Sequence, residues 1–220
     1  MYYGTRMKIP SFLARHGGFR SLFSYQRSRV VFKGTVYFVQ RWVPRISRTT
    51  DQMVQAARSG KQNIVEGSLA AATSKEMEIK LTGVAYASLG ELLEDYRDYL
   101  DVRDADEWTP DHPYARRLSN LCRTPGANYE TLRKGIEHPD DTISANVLAG
   151  LCRVAMHLLE GQMERLERDF VQEGGLRERM RQARLEFRRQ VEEMERQRAR
   201  EREGRRDGRR DERDARDKRD

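Results

Sequence analysis

Residues 51–100 read DQMVQAARSGKQNIVEGSLAAATSKEMEIKLTGVAYASLGELLEDYRDYL, and this stretch decides the fold. It carries two helical periodicities joined by a tight turn. In the first, Met53, Ala57, Gly60, Ile64, Gly67 and Ala71 recur at intervals of four and three, which places them on one helical seam. Glycine inside a helix costs roughly 1 kcal/mol against alanine, so two on a buried seam call for the close approach of a neighbouring backbone. In the second, Leu81, Ala85, Leu89, Leu92, Tyr96 and Tyr99 define the buried face. The reading is a tightly packed helical bundle.

Outward from this pair, the element boundaries follow from caps and breakers. A first helix is expected from about Ser21 to Val43, stopped by Pro44, with Leu22, Tyr25, Phe32, Val36, Val39 and Val43 as its stripe. Gly34 and the β-branched residues around it weaken the first half. The second helix starts near Thr49, which forms a T-x-x-Q capping box with Gln52, and fades after Ala72; the third is capped by Thr73 with Glu76 and runs to about Val102. Residues 103–141 break the pattern with Pro110, Pro113, Pro125 and Pro139, leaving room for a short helix from Tyr114 to Cys122. A fourth long helix begins at Asp141 or Thr142 and reaches about Val171, with Leu148, Leu151, Ala155, Leu158 and Leu166 on its seam. Gly174-Gly175 ends it.

Beyond those glycines, Leu176, Met180, Ala183, Phe187, Val191 and Met194 recur every three or four residues among Arg and Glu. That stripe is too narrow for full burial and fits a seam against one partner helix. From Glu195 to Asp220 the only apolar side chains are Ala199 and Ala215, so this end is read as a charged, disordered tail.

Charge is distributed unevenly along the 220 residues. The net charge is +7, yet residues 1–50 hold ten Lys and Arg and no acid, while acids concentrate between Glu91 and Asp111. A basic first segment beside an acidic middle fits contact with a polyanion, pairing between unlike protein surfaces, or plain solvation. Helix one interleaves Arg20, Arg27, Arg29, Lys33 and Arg41 with Tyr25, Tyr37 and Trp42, and Arg45 and Arg48 follow. These seven cations are the candidate phosphate contacts, each adding salt-dependent affinity without sequence preference. Their alternative partners are Glu91, Glu94, Asp95 and Asp98 of helix three.

The remaining chemistry-bearing residues point away from catalysis. Asn63 and Glu66 lie one turn apart near Arg58 and Lys61; the structural reading, a buried Glu66 with a partner, outweighs a catalytic one. His16, His112, His138 and His157 share no metal spacing, and Cys122 and Cys152 show no redox or metal pattern. No phosphate-binding glycine loop and no H-E-x-x-H occur. No enzyme activity, cofactor or metal is expected. The apolar runs are too short for a membrane helix or a signal peptide, so a cytosolic protein is expected.

Three runs carry a family resemblance: R-S-G-K-Q-N-I-V-E-G from Arg58 to Gly67, T-S-K-E-M-E from Thr73 to Glu78, and L-x-x-L-x-x-D-Y from Leu89 to Tyr96. They resemble the bacterial four-helix-bundle proteins first noticed in intervening sequences of large-subunit ribosomal RNA genes, whose N-I-x-E-G segment precedes a K-E start to helix three. The matching residues are Asn63, Ile64, Glu66 and Gly67, then Lys75 and Glu76, with Gly60 on the same seam. F-V-Q-E-G-G-L-R-E-R-M from Phe170 to Met180 resembles the subgroup that carries a four helix bundle suffix domain. The long insert centred on Glu107-Trp108-Thr109-Pro110-Asp111-His112-Pro113 also resembles that subgroup. The resemblance implies an up-down bundle assembled into rings, with the pentamer as one size. The accessory variability determinant of diversity-generating retroelements, a distantly similar basic pentamer, binds a reverse transcriptase and nucleic acid. This chain departs from it in its acidic middle and charged tail.

The fold expected is all-α: a leader at 1–18, an up-down four-helix bundle at 19–172 with an irregular insert at 103–141, a suffix helix at 173–194 and the charged tail at 195–220. The function expected is that of a non-enzymatic homo-oligomer binding RNA or DNA through its basic first helix. The alternative is a protein-interaction scaffold that offers the suffix helix as a coiled-coil seam to a protein partner.

Overall fold

The computed structural model describes residues 18–217 except Arg45, with side chains to Arg202. The expected leader, together with His16 and Arg45, lies outside the described residues. The described residues are all-helical: a 3-10 turn at Phe19–Ser21 precedes seven α-helices, α1 (Phe23–Trp42), α2 (Arg48–Ala70), α3 (Lys75–Asp101), α4 (Pro113–Arg123), α5 (Tyr129–Ile136), α6 (Asp141–Glu173) and α7 (Leu176–Asp217). The chain divides after Gly175 into two compact units, with α1–α6 in one and α7 in the other.

Local chemistry sets the helix ends. Ser47 caps α2 by accepting from Thr49 N at 3.2 Å, and Ser74 caps α3 by accepting from Met77 N at 3.1 Å. The caps are serines in place of the expected threonines, two residues before Thr49 and one after Thr73, since a serine hydroxyl fulfils the same role. Asp140 caps α6 through Thr142 N and Ile143 N, and Gly174, at φ 71°, terminates it.

Four long helices share one core. α1 packs on α2 and α6, and α3 packs on the same two from the other side. Val31 and Phe38 of α1, Met53, Ala57 and Ile64 of α2, Leu89, Leu92 and Tyr96 of α3, and Leu148, Leu151 and Leu159 of α6 are essentially fully buried. Each such aliphatic side chain contributes about 1.5–3 kcal/mol by leaving water. Side-chain bonds fix the directions. Tyr99 and Arg103 at the end of α3 donate to Asp141 at the start of α6, at 2.8 and 2.7 Å, and Lys75 at the start of α3 faces Asp169 near the end of α6. Ser24 at the start of α1 donates to Gln162 of α6 at 2.7 Å, whereas Gly34 lies against Leu148. Thus α6 runs antiparallel to both α1 and α3.

The buried face of α1 differs from the expected stripe. Ser24, Arg27, Ser28, Val31, Thr35 and Phe38 line it, while Leu22, Tyr25 and Phe32 pack only partly. Thr35 Oγ1 donates to Val31 O at 2.9 Å and also hydrogen-bonds Tyr96 Oη at 2.9 Å, whereas Ser28 Oγ has no hydrogen-bond partner among the described residues. Phe38 meets Tyr96 and Tyr99 edge-on, with centroids 5.2 and 4.7 Å apart.

Two helices occupy the insert: α4, where a short helix was expected from Tyr114 to Cys122, and α5, which was not expected. α4 begins with Pro113 at its first turn, and α5 is closed by a reciprocal capping box between Asn128 and Thr131. Asn146 of α6 holds the intervening loop by accepting from Trp108 N at 2.7 Å and donating to Asp106 O at 3.1 Å. Glu107 bridges Arg97 of α3 and Arg153 of α6.

In the second unit, α7 does not stop where its apolar seam does. The backbone is helical past Met194 to Asp217, over most of the stretch expected as a charged tail. Arg and Glu are good helix formers, and alternating signs along one helix add weak i,i+4 attractions.

Candidate nucleic-acid interface

The six candidate cations among the described residues separate into three groups, Arg45 lying outside them. Arg27 is an interior residue, only 1% exposed. Its guanidinium donates to Ala127 O at 2.5 Å and to Cys122 O at 2.6 Å, tying α1 to the carbonyls that α4 and its following turn leave open. It cannot reach a phosphate chain on the surface, and its place among the contacts is corrected accordingly. Hydrophobic periodicity misses it because a long cationic side chain reads as solvent-facing unless a partner is in view.

Lys33 is exposed but engaged. Its ammonium sits 3.8 Å from Glu130 and 3.8 Å from the centroid of the Tyr129 ring, so α5 already answers its charge. Both carboxylate and amine are solvated, and such a pair contributes about 0–1 kcal/mol.

Arg20, Arg29, Arg41 and Arg48 are exposed and pair with no acid among the described residues. Arg20 and Arg41 lie over the rings of Phe19 and Trp42, at 5.8 and 4.7 Å from the centroids. At 100° per residue, Arg29 and Arg41 point about a third of a turn apart, so α1 presents separated cations rather than one stripe.

A continuous basic stripe stands instead on α7. Arg177, Arg181, Arg184 and Arg188 follow at intervals of four, three and four, all exposed and without an acid partner among the described residues. They share one face over about 16 Å, one cation per turn. The stripe lies about a quarter turn from the half-buried seam of Met180, Phe187 and Val191. The same 3.6-residue period that exposed the apolar seam would have found these arginines, had it been applied to charge.

The Asn63–Gly67 segment is structural, although not as expected. Asn63 Nδ2 donates to Ser59 O at 2.9 Å and to Ser59 Oγ at 3.1 Å, and Ser59 Oγ meets Ser88 Oγ of α3 at 2.9 Å. Glu66, expected to be buried, is exposed; its contact is Gln62 Nε2 at 3.4 Å, one turn back on the same helix. Its position faces away from α3 because Gly67 and Ile64 take the buried side of that turn. Gly60 is the close approach that the small seam called for. A Cβ there would lie 2.8 Å from Cγ and Cδ2 of Leu89. Gly67 is looser, its nearest neighbours being Glu78 O and Leu81 Cβ at 3.4 Å.

The acids of α3 gather on a face bordered by Asp51 and Gln55 of α2. Burial, with Asp98 and then Glu91 nearby, raises the Asp95 carboxyl to about 6. No Lys or Arg pairs with Glu91, Asp95 or Asp98 among the described residues. The cysteines offer no nucleophile: both are free and buried, and burial raises both thiols.

Comparison with known proteins returns no matching family model, no matching curated protein and no matching solved structure.

Proposed function

We propose that the chain is a non-enzymatic, up-down four-helix bundle with an appended C-terminal helix, akin to the intervening-sequence family it resembles, and that it binds nucleic acid through the phosphate backbone. The α7 stripe carries this reading: four exposed arginines on one face, one per turn, with no acid to neutralise them among the described residues. Guanidinium groups spaced along a helix follow a polyanion without reading bases, since phosphate contacts position and base edges specify. Arg20, Arg29, Arg41 and Arg48 add a second, more scattered set. A gel-shift titration with a mixed-sequence RNA and a duplex DNA of equal length tests it. Reversing Arg177, Arg181, Arg184 and Arg188 to Glu is expected to abolish the shift, while unchanged binding refutes the assignment.

A second reading is favoured by the acidic face of α3. Carboxylates crowded enough to raise Asp95 to about 6 gain from a cationic neighbour. The exposed arginines of a second copy would supply one, giving a homo-oligomeric ring such as a pentamer. A scaffold role, with a protein partner on the α7 seam, would share that assembly. Light scattering decides for the ring, which is expected to weaken in high salt and on Glu91→Lys; a monomer at every salt concentration removes it. A cytosolic location suits both readings, because α6, long and apolar enough to cross a membrane, spends Leu148, Leu151 and Leu159 on the core.

A further inference from the structure

A cavity of about 560 Å³ lies between the start of α1, α4 and the middle of α6. Its size falls within the range of small-molecule sites. Phe23, Leu118, Val154 and Leu158 make most of its wall apolar, with Phe23 58% exposed.

The charged part of the lining is of one sign. Arg27, Arg123 and Arg153 contribute to it, and no carboxylate does. One of these, Arg153, has its charge answered nearby by Glu107. Arg27 does not. Its two terminal nitrogens are held by neutral carbonyls, its Nε has no hydrogen-bond partner, and no acid pairs with it among the described residues. A guanidinium buried to this degree without a counter-charge is costly, and an anion beside it offsets that cost more than a neutral or cationic group can.

We propose that this cavity binds a small amphipathic anion, a carboxylate on an apolar chain or ring, with its head toward Arg27 and its body against Leu118, Val154 and Leu158. Polyanion binding is not required of this site, and the apolar wall disfavours it. The guanidinium is pre-positioned by its two carbonyl bonds, so the head group meets a charge already held in place.

Calorimetric titration of the full chain with octanoate, octan-1-ol and octylammonium tests the assignment. Octanoate is expected to saturate at one per chain, with the alcohol and the amine at least tenfold weaker. Ser119→Trp, which puts an indole into the cavity from α4, is expected to abolish octanoate binding while leaving the melting temperature near that of the parent. Arg27→Gln is expected to erase the preference for the carboxylate. Should that variant fail to fold, the three-headgroup comparison on the unmodified chain decides the same point. Unsaturable uptake, equal affinity for the three head groups, or a Ser119→Trp chain that binds like the parent each overturns the proposal, leaving a water-filled cavity only.

Discussion

Substituting Gly60 by alanine tests the packing of α2 on α3 most sharply, because two opposing effects have known sizes. Alanine gains about 1 kcal/mol over glycine in a helix interior. Against this, the new Cβ would sit 2.8 Å from two carbons of Leu89, a residue with no exposed surface, and 3.5 Å from Ala85 O. Leu89 can retreat only into neighbours that are themselves close-packed, and overpacking of this kind costs about 1–3 kcal/mol. The net expectation for Gly60→Ala is therefore a loss of roughly 0–2 kcal/mol, and for Gly60→Leu a loss of about 3 kcal/mol or more. Gly83 and Gly161 are the controls, because an added Cβ meets nothing within 4 Å at either. Each is expected to gain about 0.5–1 kcal/mol as alanine. Urea denaturation of the four variants, followed by circular dichroism, gives the comparison. If Gly60→Ala stabilises the chain as much as Gly83→Ala does, the close approach is not real.

Other perturbations probe the remaining assignments. Arg27→Met is expected to lower stability by about 3 kcal/mol, because Ala127 O and Cys122 O lose their donor, while leaving nucleic-acid affinity unchanged in a binding titration. Asp95→Asn is expected to stabilise the fold by about 1 kcal/mol at pH 7–8, a figure reduced for the solvent exposure of the group. The sign follows from the raised carboxyl: the folded state holds its proton more tightly than the unfolded chain, so the parent loses stability as pH rises from about 4 to 6, and the gain from the asparagine vanishes below that window. Thermal melts at pH 4 and pH 8 check it. Cys122 and Cys152 are expected to resist a thiol reagent in the native chain and to react at once in denaturant, as both are buried with raised thiols. Truncation after Gly175 is expected to leave a cooperatively melting helical unit, since the shared core of α1, α2, α3 and α6 is complete without α7.

The long helices were legible because their apolar residues obey one period and their ends carry strong caps and breakers. Pro44, Gly174 and the serines beside Thr49 and Thr73 set those ends within a few residues of expectation. The register of α1 was not legible. Its buried side uses Ser24, Arg27 and Thr35, whose suitability for a core depends on partners 61 to 138 residues away in sequence, so a hydrophobicity pattern reads them as exposed. The same non-local dependence hid α5, whose eight residues are too few to show a period; only the Asn128–Thr131 box marked its start. Glu66 went wrong in the opposite direction, a polar residue assigned to the interior although the next turn of seam was already filled by Ile64 and Gly67. On α7, residues 176–194 were legible as a helix from their apolar seam, and the arginine stripe at Arg177, Arg181, Arg184 and Arg188 went unread because the period was sought only in apolar residues.

The salt dependence of binding tests the central proposal most directly. Anisotropy of a labelled mixed-sequence single-stranded RNA, titrated with the full chain between 50 and 300 mM salt, is expected to give a straight fall of log affinity with log salt. Each phosphate contact adds about 0.7 to the slope, so reversing Arg177, Arg181, Arg184 and Arg188 to Glu should remove about 3 from it. An unmutated chain that shows no affinity at 50 mM salt, or a slope that survives the four reversals, would contradict phosphate binding by α7.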